Sequence, residues 1–157
     1  MHINGGGKMG IWLQHSAALT TLISVFFAVV TAIIGFTINQ SRLRREFTQN
    51  IMLQRLSNPD LARASQLIAN RVANNDSYPV APPDDDENRL VIMLLSYYEF
   101  VAVAYLRGDL NEKTVKRQAQ KAIKSTFEIA RAYITERRSA LNRPKLYKEL
   151  EALAKRF

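Results

Sequence analysis

The sequence predicts an all-α protein, with one N-terminal transmembrane helix followed by a small cytoplasmic helical bundle of about four helices. Three observations carry this reading. Residues 9–41 contain no charged side chain, and residues 17–38 are apolar or small at every position. The rest of the chain is highly charged, with apolar residues recurring at the three- and four-residue spacings of amphipathic helices. Helix breakers punctuate it at Asn58-Pro59, at Pro79, Pro82 and Pro83, at Gly108 and at Asn142-Arg143-Pro144.

The expected organisation follows. Residues 1–16 form a short, flexible extracytoplasmic start that includes Gly5, Gly6 and Gly7. As a helix, residues 17–38 extend about 33 Å, enough to cross a hydrocarbon core of about 30 Å. Trp12 sits just outside that core, where an indole favours the headgroup region. A secretory signal would have a shorter core and a neutral flank, whereas Arg42, Arg44 and Arg45 follow this one at once. Positive flanks stay on the cytoplasmic side. Lys8 alone cannot outweigh three arginines, so the N-terminus is expected outside and the C-terminus in the cytoplasm, in the inner (plasma) membrane.

Residues 39–57 read as a juxtamembrane helical extension, with Leu43, Phe47 and Ile51 as a narrow apolar stripe. Residues 58–157 read as the cytoplasmic helical domain, and the first helix of that domain starts with Asn58 as N-cap and proline at the first helical position. Its apolar face is Leu61, Ala64, Leu67, Ile68 and Val72. Residues 74–83 form a loop. In the acidic run that follows, Asp84 and Glu87 fit a capping box rather than a metal site.

Residues 89–107 are apolar around most of the helix, interrupted by Ser96 and Glu99. A charge at mid-membrane costs about 2.5–3.5 kcal/mol or more. The segment therefore reads as the central helix of the bundle, with Tyr97, Tyr98, Phe100 and Tyr105 packing against neighbours. Glu99 needs a partner if it is buried, and Arg131 or Arg107 is expected to form an ion pair with it. Gly108 suits the left-handed residue that closes a helix, and Asp109 with Glu112 suits the start of the next. That helix, expected over 112–141, places Val115, Ala119, Ile123, Phe127, Ala130 and Ile134 on one face. Lys113, Arg117, Lys121 and Lys124 line up on another. Residues 144–157 are expected as a last helix, with Leu146, Leu150 and Leu153 inward.

Charge narrows the partners. The formal net charge is +8, and from residue 113 to 157 there are 13 Lys and Arg against 4 Asp and Glu, an excess of +9. Such a surface suits anionic lipid or nucleic acid. The expected anionic-surface contacts are Arg42, Arg44, Arg45, Lys113, Arg117, Lys121 and Lys124. Interleaved aromatics of the kind that single-strand binders use are missing from this stripe. The chain has no cysteine, which excludes disulfides and thiolate metal sites. It has no histidine after His15, which removes the Arg-x4-6-His signature of small helical ribonucleases. Gly5 to Gly7 are not a phosphate loop, because no Gly-Lys-Ser/Thr follows them. No catalytic residue, cofactor or metal site is expected.

Within the span, Ala17, Thr21, Ser24, Ala28, Thr31 and Gly35 recur at spacings of four and three. Small residues on one face let membrane helices approach closely, so a homo-oligomer is expected through this seam. Leu22, Phe26, Val30 and Ile33 occupy the opposite, lipid-facing side.

The run LLSYYEFVAVAYLRGDLNEK, then FEIARAYITERR, then NRPKLYKELEAL, resembles a bacterial family catalogued as a domain of unknown function, number four-seven-six-zero. The resemblance rests on Tyr98 to Val103, on Arg107 to Leu110, and on Pro144, Leu146 and Tyr147. It implies small membrane-anchored helical proteins and carries no activity.

The functional expectation is a non-enzymatic, single-pass membrane protein whose cytoplasmic helices bind a protein partner or self-associate. The alternatives are an oligomeric membrane pore or effector accessory to an antiphage defence system, and a membrane-tethered nucleic-acid binder.

Overall fold

The computed structural model describes the backbone of residues 7–80 and 85–157, and the side chains of residues 24–80 and 85–157. The described residues are helical with no strand, in five helices: α1 (Gly7–Ser57), α2 (Pro59–Ala73), α3 (Asp85–Leu106), α4 (Glu112–Ala140) and α5 (Lys148–Arg156). The chain divides into two units at Arg42, so the compact unit Leu43–Phe157 begins inside α1 and takes in residues 43–57. The expected capping partner Asp84 and the Pro82-Pro83 pair lie outside the described residues.

In the unit ending at Arg42, the described side chains from Ser24 onward are exposed on every face, with Val30 half-buried. Two helical stretches are long and apolar enough to cross a membrane, Ser24–Ser57 and Asp85–Leu106, and they differ in burial. The apolar window of the first is 0% buried, against 56% for the second. Of the two, α3 is the one packed into a core.

In the unit Leu43–Phe157, α3 packs against α2, α4 and α5, and α4 also packs against α2 and α5. Leu90, Val91, Leu94, Leu95, Tyr97, Tyr98, Val101, Ala102 and Tyr105 of α3 are all buried. Phe100 departs from the expected inward packing: it is 51% exposed.

Residues 43–57 dock through a different face from the predicted stripe. Ile51 is buried, but Leu43 and Phe47 are exposed, and the side chain fully enclosed is Thr48. Its hydroxyl donates to the Arg44 carbonyl at 2.6 Å and accepts from Asn111 N at 2.8 Å. Tyr97 OH donates to the Ile51 carbonyl at 2.9 Å, and Arg55 Nη1 donates to Tyr98 OH at 2.9 Å. Hydrogen bonds to α3 and to the start of α4 rotate the docked face toward Thr48, Ile51 and Arg55. A polar helix seen alone cannot reveal such partners.

The joints follow local chemistry. Asn58 Oδ1 accepts from the amides of Asp60 (2.9 Å) and Leu61 (3.2 Å), with Pro59 at the first helical position, as the sequence predicts. On α2, Leu61, Ala64 and Ile68 are buried, whereas Val72 in the last turn is exposed. Gly108 closes α3 at φ +80°, and the Asp109 amide donates back to Ala104 O at 2.9 Å. The cap of α4 is Asn111, not Asp109: Asn111 has extended backbone, and its Oδ1 accepts from Thr114 N at 3.0 Å. α5 starts at Lys148, four residues later than expected. Residues 144–147 form turns that end on Tyr147 in the left-handed conformation, φ 54°.

The loop 74–80 is pinned by one residue that periodicity could not single out. Tyr78 is 1% exposed, its amide donates to Ile129 O at 3.0 Å, and its ring meets Tyr133 edge-on at 5.1 Å.

Candidate functional site: the Glu99 joint and the exposed faces

Glu99 is the carboxylate set into the most apolar helix of the domain, and its partners are not cations. Its two oxygens accept from the backbone amides of Glu149 (3.2 Å) and Leu150 (2.7 Å), the second and third residues of α5. The expected ion pair with Arg131 or Arg107 is not formed. Arg131 is exposed on α4, with its guanidinium carbon 5.6 Å from the centre of the Phe127 ring. The reason lies at the start of α5. The first amides of a helix need acceptors, and Tyr147, the residue in capping position, makes no side-chain cap bond. Glu99 supplies the cap from α3, and its negative charge faces the positive end of the α5 dipole.

Ion pairs hold the other joints. Arg71 meets Glu87 at 2.9 Å, tying α2 to the first turn of α3, and Arg89 bridges Asp60 (3.0 Å) and Asp86 (2.9 Å). The bonds to Arg89 hold the Asp86 carboxyl below its ordinary value. Asp86 and Glu87 of the acidic run are therefore engaged with arginines, and among the described residues no cluster of three or more His, Asp or Glu is placed to hold a metal. Arg138 joins α4 to α5 through Glu151 at 2.9 Å, and Lys155 reaches the other oxygen of that carboxylate at 2.6 Å. Those two cations, Lys155 foremost, hold Glu151 low as well. Tyr133 OH donates to Asn88 Oδ1 and accepts from Arg137 Nη1 at 3.1 Å. Burial pushes the hydroxyls of Tyr97 and Tyr78 up to about 12.

The predicted anionic-surface residues are all exposed, and none of Arg42, Arg44, Arg45, Lys113, Arg117, Lys121 or Lys124 forms an ion pair among the described residues. They occupy two helices. Within the compact unit, the Thr48 hydroxyl donates to the Arg44 carbonyl and accepts from the Asn111 amide, two residues before Lys113.

Of the predicted seam, Ala17 and Thr21 lie outside the residues whose side chains are described, as does Leu22 of the opposite face. Ser24, Ala28, Thr31 and Gly35 are exposed along one side of α1. A methyl group added at Gly35 would meet nothing within 4 Å. Thr48, Asn111 and Tyr97, which hold residues 43–57 within the compact unit, carried no signal in the sequence beyond being polar residues near apolar ones.

The geometry defines a class: a helical protein with an exposed apolar N-terminal helix and a compact helical unit held by capping and ion-pair joints. Residues 18–157 match the family described as Domain of unknown function (DUF4760), and the chain belongs to that family. No curated protein and no solved structure matches the chain.

Proposed function

We propose that the chain is a single-pass membrane protein, anchored by residues 17–38 with its N-terminus outside, whose cytoplasmic unit acts by association rather than catalysis. The observation that carries this is the bareness of α1. Val25, Phe26, Phe27, Val29, Ile33, Ile34, Phe36 and Ile38 are each more than half exposed. Holding eight such side chains in water costs on the order of 10 kcal/mol at about 25 cal/mol per Å²; lipid removes that cost. The arginines at 42, 44 and 45 support the orientation, and their exposure suits contact with anionic headgroups.

Self-association is proposed through Ser24, Ala28, Thr31 and Gly35, together with Ala17 and Thr21. These small residues leave a shallow face on α1 against which a second copy can approach closely. The absence of cysteine makes the test clean. Cysteine at Ser24 or Ala28 should cross-link copies in membranes, and cysteine at Phe26 or Val30 should not. Equal cross-linking from both faces, or none from either, rejects the seam. A reporter fused after Phe157 should be active only if of a cytoplasmic type, and activity of an exported reporter there rejects the orientation.

A further inference from the structure

A half-open cavity of about 250 Å³ is formed in the compact unit, with Arg55 of α1, Ser65 and Ile68 of α2, Tyr98 of α3, and Ser125 and Thr126 of α4 on its walls. One cation and four hydroxyls face a space that no carboxylate among the described residues lines. Their hydrogen bonding is incomplete. Arg55 has five N–H donors. Its one side-chain hydrogen bond goes to Tyr98 OH, and it forms no ion pair among the described residues. Tyr98 is 2% exposed and accepts from Arg55, yet its own hydroxyl proton has no acceptor among the described residues. Ser65 Oγ is buried with no hydrogen-bond partner among the described residues.

Buried polar groups are normally satisfied, and a part-buried charge is normally paired. Ser65 breaks this rule, and Arg55 and Tyr98 beside it are bonded to each other with donor capacity left over, so the three are complementary to a single kind of ligand. A planar guanidinium matches the two oxygens of a carboxylate or phosphoryl group, and hydroxyls donate to what remains. Water can fill the hydroxyls' needs but leaves the charge uncompensated. The volume admits a small group and lies below the range of about 300–1,000 Å³ that holds larger ligands.

We propose that this cavity is a binding site for a small oxyanion, a carboxylate or phosphoryl group held on Arg55 by Tyr98 and Ser65. The test uses the full chain in a neutral detergent. It is titrated with sodium phosphate and separately with sodium acetate, against chloride at matched ionic strength. Binding is followed by the thermal midpoint in circular dichroism and by the nuclear magnetic resonance signals of the arginine side chains. One of the two anions should give a saturable rise in midpoint and shift the Arg55 signal. Affinity should fall at least tenfold in Arg55→Gln, and severalfold in Ser65→Ala with the ligand-free midpoint unchanged or raised. Lys145→Gln, which removes an exposed charge away from the cavity, should bind as the parent does. Nanodiscs of phosphatidylglycerol, compared with phosphatidylcholine, separate the sources: weaker phosphate binding in the former assigns the site to a lipid phosphoryl group, and equal binding assigns it to a soluble anion. Failure of both anions to give a saturable response overturns the site, as does an undiminished response in Arg55→Gln. Should Arg55→Gln not fold, undiminished affinity in Ser65→Ala overturns it.

Discussion

Replacing Glu99 by alanine removes the acceptor for two amides at the start of α5. The helix cannot easily move to compensate, because Leu150 and Leu153 are fully buried. Losing an N-cap costs about 0.5–2 kcal/mol, while hydrogen bonds to a charged group are worth about 1.5–3 kcal/mol each. With the site part-buried, the expected cost of Glu99→Ala is about 2–3 kcal/mol. That is less than the roughly 3–5 kcal/mol for stranding a buried charge, because the groups left behind are neutral amides. Glu99→Gln keeps an acceptor oxygen and loses chiefly the charge–dipole attraction, about 0.3–1 kcal/mol. Urea unfolding of the full chain in mild detergent, followed by circular dichroism, measures both. Hydrogen exchange localises the effect: the Glu149 and Leu150 amides should lose protection roughly 30- to 150-fold in the alanine variant, at tenfold per 1.4 kcal/mol. Arg131→Ala should be nearly silent, with no coupling to Glu99 in a double-mutant cycle. Equal costs for Ala and Gln, or a Glu99–Arg131 coupling above about 1 kcal/mol, would refute the capping account.

Other perturbations probe other joints. Thr48→Val keeps the shape but strands the Asn111 amide, so the unit should lose about 1–3 kcal/mol in the same urea assay, while Thr48→Ser should lose less. Tyr97 and Tyr78 titrate near 12 instead of the ordinary 10, so their contribution is complete below pH 10 and is lost as pH rises through about 12. Tyrosinate absorbance should therefore develop together with alkaline unfolding. Glu151, lowered by Lys155 and Arg138, and Glu112, lowered by Lys116 and Tyr105, contribute stability above the ordinary carboxylate value of 4.5. That contribution disappears as pH falls through their lowered range, which an acid titration of the thermal midpoint reads. Reversing Lys113, Arg117, Lys121 and Lys124 to glutamate should weaken binding to anionic vesicles in a salt-dependent manner, measured by co-sedimentation; no binding by the parent at low salt removes the stripe as a lipid contact.

Much of this protein is written in short-range sequence. The apolar run of α1, the Asn58-Pro59 start of α2, the near-continuous apolar character of α3 and the left-handed Gly108 are consequences of residues within a few positions of each other. Local sterics and periodicity are enough to read them. Family membership was legible for a related reason: its motifs are contiguous. Three features depended on residues distant in the chain. Thr48, not Leu43 or Phe47, faces inward because an amide 63 residues away needs its hydroxyl. Glu99 caps a helix 50 residues on, and nothing local marks whether its partner is a cation or a bare helix end. The Arg55 cavity gathers four helices around one guanidinium. Helices are specified by nearest neighbours along the chain, whereas the partner of a polar side chain is set by whichever donor or acceptor the packing leaves unsatisfied beside it, and that is decided only in three dimensions.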